Sequence, residues 1–243
     1  MTTSRYADGA LLLPSPLLPG HVMDDLAVSL GRAGLPATVA APDLAPGEGP
    51  PDLVDRWARQ VRSGTVVVAH SNAGYLAPHV RRAAGTGGPV VFVDAALPPP
   101  SGHHRLAPPA LRSWLGELAE DEGLLPPWTR WWPREDLEQA LPTGQFDDLD
   151  RTCPRLPLRW FDTTLTAPPG WAAEPDAYLA FGTTYADERA FAARRGWPVA
   201  DLDGGHLHLL AEPDAVADAV LALVAQLSRG AGAPTPPPRQ HTE

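Results

Sequence analysis

Thr65-Val66-Val67-Val68-Ala69-His70-Ser71-Asn72-Ala73-Gly74 is the stretch on which the fold turns. Its first half is β-branched and apolar on both faces, so the strand it forms has no side meant for water. Such strands belong in the middle of parallel sheets. Its second half is small and polar and runs into a helical pattern over 72–84. A buried strand, a tight turn at Ser71 and a helix thus follow one another without a linker.

The alternation extends both ways along the chain. Ala10-Leu11-Leu12-Leu13 reads as a buried strand stopped by Pro14, and 22–33 has helical spacing up to Gly34. Residues 37–40 form a second strand, and Leu53, Trp57, Ala58 and Val61 mark a helix. Pro89-Val90-Val91-Phe92-Val93 is the next buried strand. After a long break, 177–181 and 199–202 read as strands, 186–195 as a helix, and 214–227 as a closing helix with one apolar face. Strands alternating with helices predict an α/β, doubly wound, mostly parallel sheet. The break, 95–175, carries many prolines and only weak helical patterns near 106–118 and 136–141. It reads as a helical lid inserted into a core made of 1–94 and 176–229. The remainder, 230–243, reads as a disordered tail.

Composition narrows the chemistry. All 19 basic residues are Arg, and there is one cysteine, Cys153. A lysine Schiff base, a lysine-bearing phosphate loop, an internal disulfide and a multi-cysteine metal site are therefore excluded. The net charge of −10 argues against nucleic acid as a partner. No run approaches the roughly 18 apolar residues of a membrane helix. The N-terminus shows no signal-peptide pattern, so a cytoplasmic location is expected. Arg-only basic usage with abundant Ala, Gly and Pro suits a GC-rich bacterial genome. Thirty prolines, about 12% against a usual ~5%, raise the question of disorder, but they punctuate periodic segments rather than repeat.

Ser71 is the residue with the strongest chemical setting. A small-x-Ser-x-small turn between strand and helix lifts a serine hydroxyl above the sheet edge and aims the Asn72 N–H at the same spot. Ala69 and Ala73 supply the small positions. The plainer alternative is a Ser-Asn helix cap. A second feature, Asp203-Gly204-Gly205-His206-Leu207-His208, follows the last strand. Its glycines allow a loop that reaches back to Ser71, with His206 as the reaching base and His208 turned toward the core. A surface histidine is the plainer reading there.

The chain resembles the α/β-hydrolase-fold superfamily from about Ala10 to Leu227, on the turn at Ser71 and the order Ser71, acid, His206. It looks most like the small cofactor-independent esterases and hydroxynitrile lyases. The resemblance implies a serine nucleophile, a histidine base and a carboxylate. The loop after the next-to-last strand, Gly182-Thr183-Thr184, lacks the usual carboxylate. Asp94, leaving a buried strand, is preferred as the acid, with Asp187 the alternative and a Ser-His dyad the remaining option. The resemblance also calls for an N–H after the first strand. Pro14 and Pro16 have none to give, so Leu17 is the expected oxyanion donor beside Asn72, with the Ser15 hydroxyl as an alternative.

Trp114, Trp128, Trp131, Trp132, Trp160 and Trp171 fall in the insertion. They read as walls of an apolar substrate cavity or as the insertion's own core. Ser15, Pro16, Trp114, Trp128, Trp131 and Trp132 are the expected substrate contacts. His103-His104 looks like half a metal site, but no third ligand is suggested, so neither metal nor cofactor is expected. The expected partner is a small molecule, met by a monomer or homodimer. Three functions stay open: hydrolysis of an ester, thioester or lactone; a lyase or cyclase using Ser71 and His206 as a proton shuttle; and a non-catalytic binding protein.

Overall fold

The computed structural model describes residues 8–230; the tail beyond, expected to be disordered, lies outside the described residues. The strands are β1 (Gly9–Leu13), β2 (Ala37–Val39), β3 (Thr65–His70), β4 (Val90–Val93), the two-residue β5 (His103–His104) and β6 (Leu165–Thr166), then β7 (Ala177–Phe181) and β8 (Val199–Leu202). Six of them form one sheet in the order β2-β1-β3-β4-β7-β8. Every pairing in it is parallel. The antiparallel β5–β6 pair stands apart.

Hydropathy explains the order. β1, β3, β4 and β7 are buried along their whole length and occupy the centre, while β2 and β8 carry partly exposed residues and form the edges. At roughly 25 cal/mol per Å² of apolar surface, valines and leucines hidden on both faces supply the main driving force. The helices are α1 (Asp24–Arg32), α2 (Pro50–Ala58), α3 (Ala77–Ala84), α4 (Pro109–Leu118), α5 (Arg134–Ala140), α6 (Phe146–Thr152), α7 (Ala186–Arg194), α8 (His208–Ala211) and α9 (Pro213–Gly230). The chain winds from β1 outward to β2, then returns to β3 and proceeds the other way. The β1–β3 boundary is thus the switch point, where the C-terminal strand ends leave a crevice.

The helix expected to run unbroken from Asn72 does not do so. Residues Ser71–Tyr75 form a 3₁₀ turn, and α3 starts only at Ala77. Pro78 lacks the N–H that would bond the Gly74 carbonyl, so the α-helical ladder cannot run back through the turn. The chain from Asp94 to Asp176 leaves β4 and returns to its sheet neighbour β7. Its buried residues Leu106, Leu115, Leu125, Trp160 and Phe161 join the same apolar cluster as the sheet. Asp176 fixes the return: its Oδ1 accepts a hydrogen bond from Val90 N at 2.8 Å and pairs with Arg81.

Candidate active site

Four strand ends converge on one point. Ser71 follows β3 directly, with φ of 57°, a left-handed conformation that a serine adopts only when its surroundings impose it. Its neighbours impose it by closeness. A Cβ on Gly74 would stand 2.1 Å from the Ala96 carbonyl oxygen, so no other residue fits there. Ala69 and Ala73 are fully buried. The Ser71 carbonyl accepts a hydrogen bond from Ala96 N at 3.1 Å, which ties the turn to the chain leaving β4.

Asp94 follows β4 directly, also with positive φ, 40°. It is fully buried. One carboxylate oxygen accepts from Phe181 N at 3.0 Å, and the other lies 2.7 Å from His206 Nδ1. An ionised carboxylate only accepts, so Nδ1 carries the proton and Nε2 is left basic. His206 Nε2 lies 2.9 Å from Ser71 Oγ. The three groups form one hydrogen-bonded line along which a proton can pass from Ser71 Oγ to Nε2 while Asp94 balances the resulting imidazolium.

His206 is held on two further sides. The His70 ring, fully buried, stacks on it with centroids 4.8 Å apart, and His70 Nε2–H donates to the His206 carbonyl at 3.0 Å. Burial, reinforced by the charge on His206, keeps His70 well below its ordinary pKa, so it is a neutral prop. Trp128 and Tyr185 stand 5.9 and 5.7 Å from the His206 ring.

Asp187 is not part of the line. It is exposed in the first turn of α7, where it meets the positive end of the helix dipole. Asn72 is buried, and its side-chain amide donates to Leu106 O at 2.8 Å. The Leu17 N–H donates to Ser15 Oγ at 3.3 Å, a long contact inside its own turn.

Ser71, Asn72, Leu17 and His206 open into a cavity of about 590 Å³. Trp128, Trp131, Trp132, Tyr75, Tyr185 and Phe161 form much of its wall, with Leu106, Leu111, Leu137 and Leu207 between them. Three expected contacts are corrected. Ser15 and Pro16 are buried and lie outside the wall, because the tight turn after β1 folds them inward. Trp114 stands behind the wall, packed on Trp131 and Trp132. Trp160 and Trp171 serve the core, the latter against Phe92 and Trp197.

The glycines of the His206 loop act differently from expectation. Neither Gly204 nor Gly205 takes a positive φ. Gly204 is small for space, since a Cβ there would lie 2.4 Å from His208 Nδ1. His208 itself begins α8 and packs edge-on against Phe181. His104 lies 3.2 Å from His79 rather than in a cluster with His103, and the described residues hold no group of three or more metal-ligating side chains. No described helix is long and apolar enough to cross a membrane.

Tyr185, Tyr75 and Glu188 were not singled out by sequence. The Tyr185 side chain interacts with that of Ser71, and burial pushes its phenol above the ordinary range. Burial likewise raises Tyr75 to about 12. Glu188 is half-buried, and burial holds its carboxyl above the usual range, assisted by the charges of Asp187 and Asp94. Tyr185 and Glu188 depend on where α7 starts relative to Ser71, and Tyr75 on the 3₁₀ turn that follows Ser71; the pattern of residues encodes neither.

Comparison with known proteins places this architecture. An extracellular α/β-hydrolase from a Paenibacillus species, described as sharing structural and functional homology with tobacco salicylic acid binding protein 2, superposes with a TM-score of 0.70 at 14% identity, covering 89% of this chain and 98% of that one. A pyrethroid hydrolase from Sphingobium faniae JZ-2 gives 0.61 at 17% identity, covering 90% and 97%. Tomato methylketone synthase I, complexed with 2-tridecanone, gives 0.65 at 9% identity, covering 90% and 99%. No curated protein sequence matches. Residues 17–219, which span all but the first strand and the end of the last helix, match the model of the alpha/beta hydrolase family, and the chain belongs to that family.

Proposed function

We propose that this protein is a serine hydrolase acting on the ester, thioester or lactone carbonyl of a medium-sized, largely apolar molecule. The observation that carries the reading is the unbroken line from Ser71 Oγ through His206 to Asp94, opening into an aromatic cavity. A volume of about 590 Å³ suits a single drug-sized compound. Ser71 Oγ attacks the carbonyl carbon as His206 Nε2 takes its proton. His206 then protonates the departing alcohol or thiol, and in the second half it activates the water that releases the acid. Asp94 stays ionised and stabilises the imidazolium.

The developing oxyanion is held by the N–H groups of Asn72 and Leu17. The Leu17 N–H trades its long contact with Ser15 Oγ for a charged acceptor, which hydrogen-bonds about twice as strongly. Residues 95–175 act as the lid, with Trp128, Trp131 and Trp132 on the substrate.

A second reading keeps the site and changes the reaction: Ser71 and His206 shuttle a proton for elimination or C–C cleavage, with no acyl-enzyme. The Leu17 N–H favours it, since before reaching an oxyanion it must first leave its contact with Ser15 Oγ. A fluorophosphonate probe decides. Covalent labelling of Ser71, abolished in Ser71→Ala and in His206→Ala, supports the hydrolase. Absence of labelling in a folded protein refutes the activated nucleophile, and lyase turnover that continues without labelling supports the second reading.

A further inference from the structure

Apart from the proton-transferring His206, the charged side chains of the cavity are all acidic. Its ionisable walls are His206, the phenols of Tyr75 and Tyr185, and the carboxylates Asp187 and Glu188. No Arg lines it, and the chain contains no Lys. Glu188 is half-buried, and no cation is among the groups that act on it. Arg105 and Arg194 line an adjoining groove that shares the two carboxylates, but not the cavity itself. Behind the wall, the Asp94 carboxylate is hydrogen-bonded to His206 Nδ1.

The rest of the wall works in the same direction. Aromatic faces attract cations through their quadrupoles, most strongly where water is excluded. An unpaired, partly desolvated carboxylate attracts cations and repels anions more strongly than one in bulk water. Trp128, Trp131, Trp132 and Tyr75 together with Glu188 therefore combine two attractions for positive charge. Away from Ser71 and its oxyanion donors, no cationic side chain in the wall compensates a negative one.

We propose that this cavity selects an ester whose apolar part carries an alkylammonium group or protonated amine, and turns away esters bearing a carboxylate or phosphate, with Glu188 as the discriminating residue. The reaction in this statement rests on the hydrolase reading; the selectivity rests on the cavity alone, and the two are tested apart.

The tryptophans in the wall make binding visible without turnover. The full-length protein is titrated with benzyltrimethylammonium and with phenylacetate, following tryptophan fluorescence, in the wild type, Glu188→Gln and Glu188→Asp. The ammonium should bind at least about tenfold more tightly than the carboxylate. Glu188→Gln should shrink that ratio by about tenfold, while Glu188→Asp, which keeps the charge, should preserve most of it. The readout is a ratio within each protein, so a general loss of affinity does not mimic the effect. Equal affinities, tighter binding of phenylacetate, no ammonium binding at millimolar concentration, or a ratio unchanged in Glu188→Gln would each overturn the proposal. A protein that prefers the ammonium but resists fluorophosphonate leaves this inference standing and removes the hydrolase reading. One that labels at Ser71 but shows no preference does the reverse.

Discussion

Replacing Asp94 by Asn tests the proposed mechanism at its least exposed member. The carboxylate has two jobs: Oδ1 accepts from Phe181 N at 3.0 Å and Oδ2 from His206 Nδ1 at 2.7 Å. An amide can accept at only one of them. If its NH₂ faced Phe181 N, two donors would oppose each other with no remedy, because a backbone N–H cannot move its proton. The imidazole can. The amide oxygen therefore stays on Phe181, the NH₂ faces Nδ1, and His206 shifts its proton to Nε2. That nitrogen then donates to Ser71 Oγ and can no longer take its proton. A wrong tautomer in such an arrangement lowers kcat by about 10⁴, which is ~5.4 kcal/mol at 1.36 kcal/mol per decade. KM should move far less, since Asp94 does not touch the cavity. The assay is steady-state hydrolysis of a p-nitrophenyl ester, with the fluorophosphonate labelling rate as a second readout and circular dichroism as a check on folding. Asp187→Asn should keep activity within a few-fold. An Asp94→Asn protein within tenfold of wild type, or an Asp187→Asn protein that is the more damaged, would refute the assignment.

Three further outcomes follow from the same structure. Gly74→Ala places a methyl against the Ala96 carbonyl, where it would meet backbone 2.1 Å away. It should cost about 3 kcal/mol, at the upper end for overpacking, read as a lower urea midpoint. Trp128→Ala removes a wall of the cavity beside His206 and should raise KM for apolar esters about tenfold with a smaller change in kcat, measured over an acyl-chain series. Acid should destabilise the fold through His79, which burial and the neighbouring His104 depress to about 4. The unfolded histidine titrates near 6.5, so its stabilisation is fully present above that pH and is lost as pH falls toward 4. Thermal melts from pH 7 to 4 should show a shallower decline for His79→Gln than for wild type.

The fold was readable because its central strands are apolar at every position. Val66-Val67-Val68 and Val90-Val91-Phe92-Val93 have no polar side, and only the middle of a parallel sheet hides both faces. The place of Ser71 was readable because a strand end fixes where the next residue stands, and that of His206 because its loop, leaving β8, can reach back to the same sheet edge. Asp94 was readable for a related reason: a carboxylate leaving a fully buried strand needs a donor, and the loop carrying His206 is able to supply one. The cavity wall was less legible. Trp114, Trp131 and Trp132 are alike in composition, and only packing decides that Trp114 stands behind the other two. Ser15 and Pro16 follow β1 in the expected place, yet a turn closed by Leu18 N on Ser15 O folds them inward. Gly74 and Gly204 look alike as well. Their roles depend on which backbone or ring lies opposite, and that is a property of tertiary contact.

The tract from Asp94 to Ala96 explains how two strained residues persist side by side. Left-handed conformations at Ser71 and Asp94 cost about 1–3 kcal/mol each. Four hydrogen bonds converge on this tract. Asp94 N donates to Leu179 O at 2.7 Å, and Ala96 N donates to Ser71 O at 3.1 Å. The buried Tyr178 hydroxyl accepts from Ala95 N at 3.1 Å and donates to Ala95 O at 2.7 Å. Each contributes about 0.5–1.5 kcal/mol net, comparable in sum to the strain. Three of the four come from β7, so pairing between β4 and β7 does more than complete the sheet. It sets the angle at which Asp94 leaves, and Phe181, at the end of the same strand, fixes the free carboxylate oxygen. The distance from Asp94 to His206, and with it the tautomer on which the proposed chemistry depends, is thereby set by two buried strands rather than by the surface loop that carries the histidine. The segment between β4 and β7 is tied to those strands at both ends, through Ala95 at one and Asp176 at the other.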